Sequence, residues 1–143
     1  HKAQKWTRGF IISCHRNVSD LDAFVTMGCE GADAVVCAGG KAFQLPGVLD
    51  ARLHHYAHGR DIPVVGVALG EPGSEALLAA QLAIRQLPDQ PVVMDEINDE
   101  VYTGSEGLAK ALTRIAHGEL PPPKPRTGKP AIRDLDFAKY LKG

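Results

Sequence analysis

Ser13-Cys14-His15-Arg16 closes one apolar run, and Gly39-Gly40 closes the next before leading through Gln44 into Leu45-Pro46-Gly47. The first segment offers an imidazole that ordinarily titrates near neutral pH and a permanently charged guanidinium. The second offers backbone amides that glycine leaves approachable, just ahead of a helix. An acid–base group beside an anion-binding group suits proton transfer on a small anionic ligand. In an open α/β sheet ligands bind at strand ends, where both segments fall.

Each of these residues also has a plainer reading. His15 could be a strand-end histidine bonded to a neighbouring carbonyl, and Arg16 could form an exposed ion pair with Asp20, four residues on. Such pairs contribute little. Gly39-Gly40 could serve only a tight strand-to-helix turn. His54 and His58 have the i, i+4 spacing of two metal ligands, but no third ligand is in view and a solvated helix face accounts for them. Strand alternation sets the Cys14 side chain opposite that of His15, as a core cysteine. Glu71, Glu75, Asp95, Glu96, Asp99 and Glu100 read as loop and helix-end charges. No metal or organic cofactor is called for.

The elements that must position these residues alternate. Residues 9–13 (GFIIS) read as a short buried strand, and Ser19 as the N-cap of a helix through Leu21, Phe24, Val25 and Cys29. Residues 33–38 (DAVVCA) and 62–69 (IPVVGVAL) are continuously apolar, as strands covered on both faces are. Leu49, Leu53 and Tyr56 mark a helix between them that Gly59 ends. Ser74 and Glu75 open an alanine- and leucine-rich helix to about Leu87; residues 91–94 begin a fourth strand; Ser105 caps a helix to Gly118. This order predicts an α/β fold: a three-layer αβα sandwich on a parallel, flavodoxin-like sheet. Residues 1–118 form that domain and 119–143 an extended tail. In the tail, Pro121-Pro122-Pro123-Lys124-Pro125 is polyproline-like and residues 134–141 suit one short helix. The tail either packs on its own domain or reaches a neighbouring subunit.

Composition narrows the partners. The chain has 143 residues, enough for one real core, and a formal charge of −1, which argues against nucleic acid. No apolar run approaches the length of a membrane span, and no secretory pattern opens the chain. Three cysteines without CxxC spacing indicate neither a disulfide framework nor zinc, so a reducing, cytoplasmic setting is expected.

Taken together, Ser13-Cys14-His15-Arg16-Asn17 and the Gly39-Gly40 to Leu45-Pro46-Gly47 loop resemble the aminoimidazole ribonucleotide carboxylase family of purine biosynthesis. That family includes the N5-carboxyaminoimidazole ribonucleotide mutases. It carries Ser-Ala-His-Arg followed by Gly-Gly-Ala-Ala-His-Leu-Pro-Gly. The similarity runs on through Ile62-Pro63-Val64-Val65-Gly66-Val67 and Gln86-Leu87-Pro88 with Pro91-Val92, from about Gly9 to His117. The resemblance implies carboxyl transfer to C4 of an aminoimidazole ribonucleotide without cofactor, the carboxyl coming from the N5-carboxy group or from CO2. His15 is then the general acid–base; Ser13, Arg16, Gly39, Gly40, Gln44 and Leu45 contact substrate. Arg16 and Ser13 would take the phosphate, and the Gly39 and Gly40 amides a carboxylate or CO2. A homo-oligomer, an octamer in the family, is implied, with residues 45–58 and the tail as candidate contacts.

Three departures accompany the resemblance. The family's opening strand and Gly-Ser-x-Ser-Asp loop have no counterpart upstream of Ser13, which suggests a missing N-terminal segment or a divergent relative; the start at His1 fits a tag remnant, a processed chain or a fragment. Gln44 stands where the family has histidine and cannot shuttle protons, in a loop that carries Lys41 and Phe43 and is one residue longer. The proline-rich tail is absent from the family pattern. The alternative is a noncatalytic or altered-specificity relative that binds a nucleotide or sugar phosphate.

Overall fold

The computed structural model describes residues 8–29, 31–56, 62–122, 124 and 138–141. Helix α1 (Val18–Ala23) runs on as a π-helical turn over Phe24–Gly28 and is followed by β1 (Val35–Gly39) and α2 (Leu45–Tyr56). Then come β2 (Val64–Ala68), α3 (Glu75–Arg85), β3 (Tyr102–Thr103), α4 (Gly104–Ala116) and α5 (Ala138–Leu141). The strands form one parallel sheet in the order β1-β2-β3. The fold is α/β and is compatible with a flavodoxin-like sheet.

Every residue of β2 is buried, as its unbroken apolar sequence requires of a central parallel strand. Alternation sends Val64 and Ala68, with Cys37 of β1, to a face covered by Leu21, Leu49 and Ile84 of the first three helices. Val65 and Val67 face the other way, onto Tyr102 of β3 and Ala111 of α4. These are the outer two layers of the sandwich. Gly66 is glycine for want of room: a Cβ there would lie 2.9 Å from both Ile84 Cδ1 and Val92 Cγ1.

The third strand differs from the sequence expectation. Residues 91–94 contribute only a bridge, Val65↔Val93, held by Val93 N to Val64 O (2.8 Å) and Gly66 N to Val93 O (3.1 Å). The same line along β2 resumes with Val67↔Tyr102 and Ala68↔Thr103. Between the two stretches the chain loops out, closed by reciprocal backbone bonds between Asp95 and Glu100 of 2.9 and 3.0 Å. A strand split by a polar excursion leaves no continuous apolar run to read. Residues 9–13 are not a strand either. β1 pairs only with β2 among the described residues, Ile11 is fully exposed, and Phe10 instead meets Phe24 edge-on at 5.2 Å.

Helix starts follow capping chemistry with two shifts. Ser74 caps α3 as expected, its Oγ accepting from Leu77 N at 3.1 Å. Asn17 rather than Ser19 occupies the N-cap of α1, and α4 begins at Gly104, one residue before Ser105. The helix ends expected at Gly59 and the tail helix start at residue 134 lie outside the described residues. The first part of the tail packs on its own domain: Leu120 joins the α4-side cluster, and Lys124 Nζ reaches Glu96 Oε1 (3.0 Å) and Gln90 Oε1 (3.4 Å). Among the described residues no helix is long and apolar enough to cross a membrane.

Asp95 is not the loop charge its sequence position suggests. It is fully buried, with Oδ2 accepting from Asn98 Nδ2 (2.7 Å) and Lys110 Nζ (3.4 Å), while Oδ1 lies 3.2 Å from Arg114 Nη2. Burial pushes the carboxyl up, but the Asn98 bonds, the Arg114 guanidinium and Lys110 outweigh it and hold the group below its ordinary value of 3.8. The ionised group therefore contributes stability in full above that value and loses it as pH falls through the depressed folded pKa. Asp95→Asn should cost about 3 kcal/mol at neutral pH, chiefly by leaving the largely buried Arg114 guanidinium uncompensated. Urea unfolding from pH 7 down to pH 2 should show the wild-type advantage shrinking at the acid end; an advantage independent of pH would contradict this account.

Candidate functional site

The first loop is a turn built by side-chain bonds to the backbone. Ser13 N donates to Asn17 Oδ1 at 2.6 Å, and Asn17 N to Ser13 O at 3.2 Å. Ser13 Oγ accepts from the amides of His15 and Arg16, both at 3.2 Å. A serine that caps its own turn competes with extended structure, which is a further reason residues 9–13 stay out of the sheet. The turn exposes His15 and Arg16 and turns Cys14 half inward against the core. Cys14 is thus a core-packing residue, but by turn geometry rather than by strand alternation. The alternative Arg16–Asp20 pair does not form; Asp20 Oδ2 accepts from Asn17 Nδ2 at 3.3 Å.

The second loop is held by packing. Gly39 O accepts from Leu69 N at 2.8 Å, and a Cβ on Gly40 would sit 2.6 Å from Leu69 O. The Phe43 ring lies against Gly39 so closely that a Cβ there would clash with it. Phe43 is buried, with φ 24°, and Lys41 has φ 59°. Left-handed backbone in non-glycine residues costs on the order of 1–3 kcal/mol each and persists only where the surroundings enforce it. Here the buried ring does so. Gln44 O then accepts from Val48 N at 3.1 Å, the bond that launches α2. Leu45 packs half-buried against the core, so its side chain serves the fold.

The fold brings the two loops together. His15 Nε2 lies 2.8 Å from Gln44 Oε1, across 29 residues of sequence. An ion pair between Arg52 of α2 and Asp22 of α1, with buried Leu21, Leu49 and Leu53 beneath, holds the two helices that carry these loops. With Nε2–H donating to the amide oxygen, Nδ1 of a neutral ring keeps its lone pair and faces no partner among the described residues. Ser13 and Arg16 adjoin His15 through the turn. Gly39 and Gly40 adjoin Gln44 through the loop, but both have sufficient structural reason to be glycine.

The site is open rather than enclosed. A cavity of about 520 Å³ lies elsewhere, between α3 and α4 beside the edge of β3, and none of the expected site residues lines it. A smaller one of about 60 Å³ lies under Pro121, Pro122 and Lys124. Burial pushes the Cys29 thiol up to about 11; burial and the nearby Cys29 push Cys37 up to about 12, so neither is a thiolate nucleophile at neutral pH. His54 is exposed on α2, and His58 lies outside the described residues. Sequence reading missed Asp95; Asn98 three residues on, and Lys110 with Arg114 one helical turn apart, were its available signals.

No protein-family model matches this chain, and no curated protein matches it.

Gly40→Ala should destabilise the protein by about 1–3 kcal/mol, because the obstructing atom is a backbone carbonyl that cannot turn aside. Urea unfolding checks this; an unchanged midpoint would mean that the loop is looser than its contacts indicate.

Proposed function

We propose that the protein catalyses carboxyl transfer on an aminoimidazole ribonucleotide, with His15 as general acid–base. The observation that supports this reading best is the 2.8 Å contact between His15 and Gln44, which joins the two loops whose sequences resemble those of one family. Carboxylation at C4 forms the new C–C bond, and the C4 proton must then leave. In this reading Nδ1 of His15 takes it, because Nε2 is engaged by Gln44. Arg16 and the Ser13 hydroxyl, whose hydrogen remains free to donate, suit the substrate phosphate. The Gly40 amide and the first amides of the twelve-residue helix α2, including that of Leu45, present positive ends to a carboxylate or CO2.

The proposal extends to the assembly and its setting. His15 and Gln44 are both exposed, and a reaction that must retain CO2 needs walls, which a homo-oligomer, octameric as in the family, would supply. Three free thiols suit a reducing cytoplasm.

A second reading is a relative that binds a nucleotide or sugar phosphate without turning it over. The favouring observation is that Gln44, which does not titrate, holds the place of the family's second histidine, while Gly39 and Gly40 are explained by Phe43 and Leu69 alone.

The purified protein should interconvert the N5-carboxy and C4-carboxy aminoimidazole ribonucleotides, and His15→Asn should abolish this while leaving nucleotide binding within a few-fold. Wild-type protein that binds the nucleotide without turnover would instead establish the binding reading. Arg16→Ala should raise KM about tenfold or more, the loss of one charge-assisted bond of about 1.5–3 kcal/mol, with a smaller effect on kcat. An unchanged KM would remove Arg16 from the phosphate site.

A further inference from the structure

We propose that Gln44 is a positioning residue for His15, its side-chain carbonyl keeping the imidazole proton on Nε2 and leaving Nδ1 as the basic atom of the ring. That Nδ1 then accepts a substrate proton rests on the function proposed above; the tautomer itself does not.

The two backbones are fixed independently of the contact between them. On one side, Ser13 Oγ and Asn17 Oδ1 tie down the turn that carries His15. On the other, Gln44 sits between Phe43, whose buried ring lies on Gly39 and holds φ at 24°, and the first bond of α2 from Val48 N. Only the side-chain torsions of His15 and Gln44 remain to be ordered, and the 2.8 Å bond orders them. Pre-organisation of this kind lets a single exposed hydrogen bond select one of two nearly balanced tautomers. With its oxygen toward the ring, the Gln44 amide accepts at any pH the protein meets, whereas an imidazole nitrogen changes between acceptor and donor as it titrates. The NH2 end turned to the ring would favour the opposite tautomer.

A long-range proton–nitrogen correlation spectrum of the 15N-labelled full chain at mildly alkaline pH reads the tautomer directly, with His15→Asn identifying the ring signals. Wild type should show one tautomer, protonated at Nε2. Gln44→Leu should move both ring nitrogens toward the average of two tautomers, and Gln44→Glu, which keeps an acceptor, should restore the wild-type pattern. Backbone amide spectra report whether each variant is folded, and Gln44 is exposed, so the fold should survive. Protonation at Nδ1 in wild type, or ring shifts unmoved in folded Gln44→Leu, would overturn the proposal. The nucleotide assay answers separately: a pinned tautomer without turnover leaves the positioning role standing and overturns the carboxyl-transfer reading. Turnover with an unpinned ring does the reverse.

Discussion

Pairing along β2 is the constraint on which the rest of the molecule depends. The strand is buried over its whole length, so all its backbone groups must find partners within the protein. β1 takes one edge from Val35↔Val64 to Gly39↔Ala68. The other edge is shared by Val93 and by Tyr102–Thr103, and the excursion between them has to be closed for the second stretch to stay in register. Asp95 and its partners on Asn98, Lys110 and Arg114 close it, which is why a carboxylate is tolerated at full burial.

The register of β1 against β2 also sets the candidate site. It brings Gly39 to the end of β2, so that Leu69 donates to Gly39 and blocks any side chain at Gly40. The chain must then turn sharply, with left-handed residues stabilised by a buried phenylalanine, and it enters α2 with Gln44 facing His15. The His15 turn arrives by a different route, through serine and asparagine side chains that satisfy its amides. Strain on one side and side-chain capping on the other produce one contact between loops far apart in sequence. Such accumulation of special backbone is typical of functional sites, although here most of it also has a packing explanation.

Much of this was legible beforehand. The alternation of apolar runs with helical patterns places β1, α2, β2, α3 and α4, because parallel strands covered on both faces must be apolar throughout. The Ser74 cap was legible because its chemistry is local. Residues 9–13 misled because an apolar, β-branched segment satisfies strand preference without having a neighbour to pair with. Residues 91–103 misled for the opposite reason: a strand is there, but a polar loop interrupts it.

By itself the sequence determined the residue types at the site, the Ser74 start of α3 and the apolar character of the strands, since these depend on neighbours a few positions away. Only the tertiary structure decided that His15 meets Gln44, that Gly39 and Gly40 make room for Phe43 and Leu69, and that Asp95 is buried and paired. Those facts depend on which distant segments share a strand edge or a helix face. The Ser13–Arg16 segment shows the division most clearly. Its chemistry was readable residue by residue, while its shape, a capped turn rather than a strand end, follows from hydrogen bonds that strand periodicity does not encode.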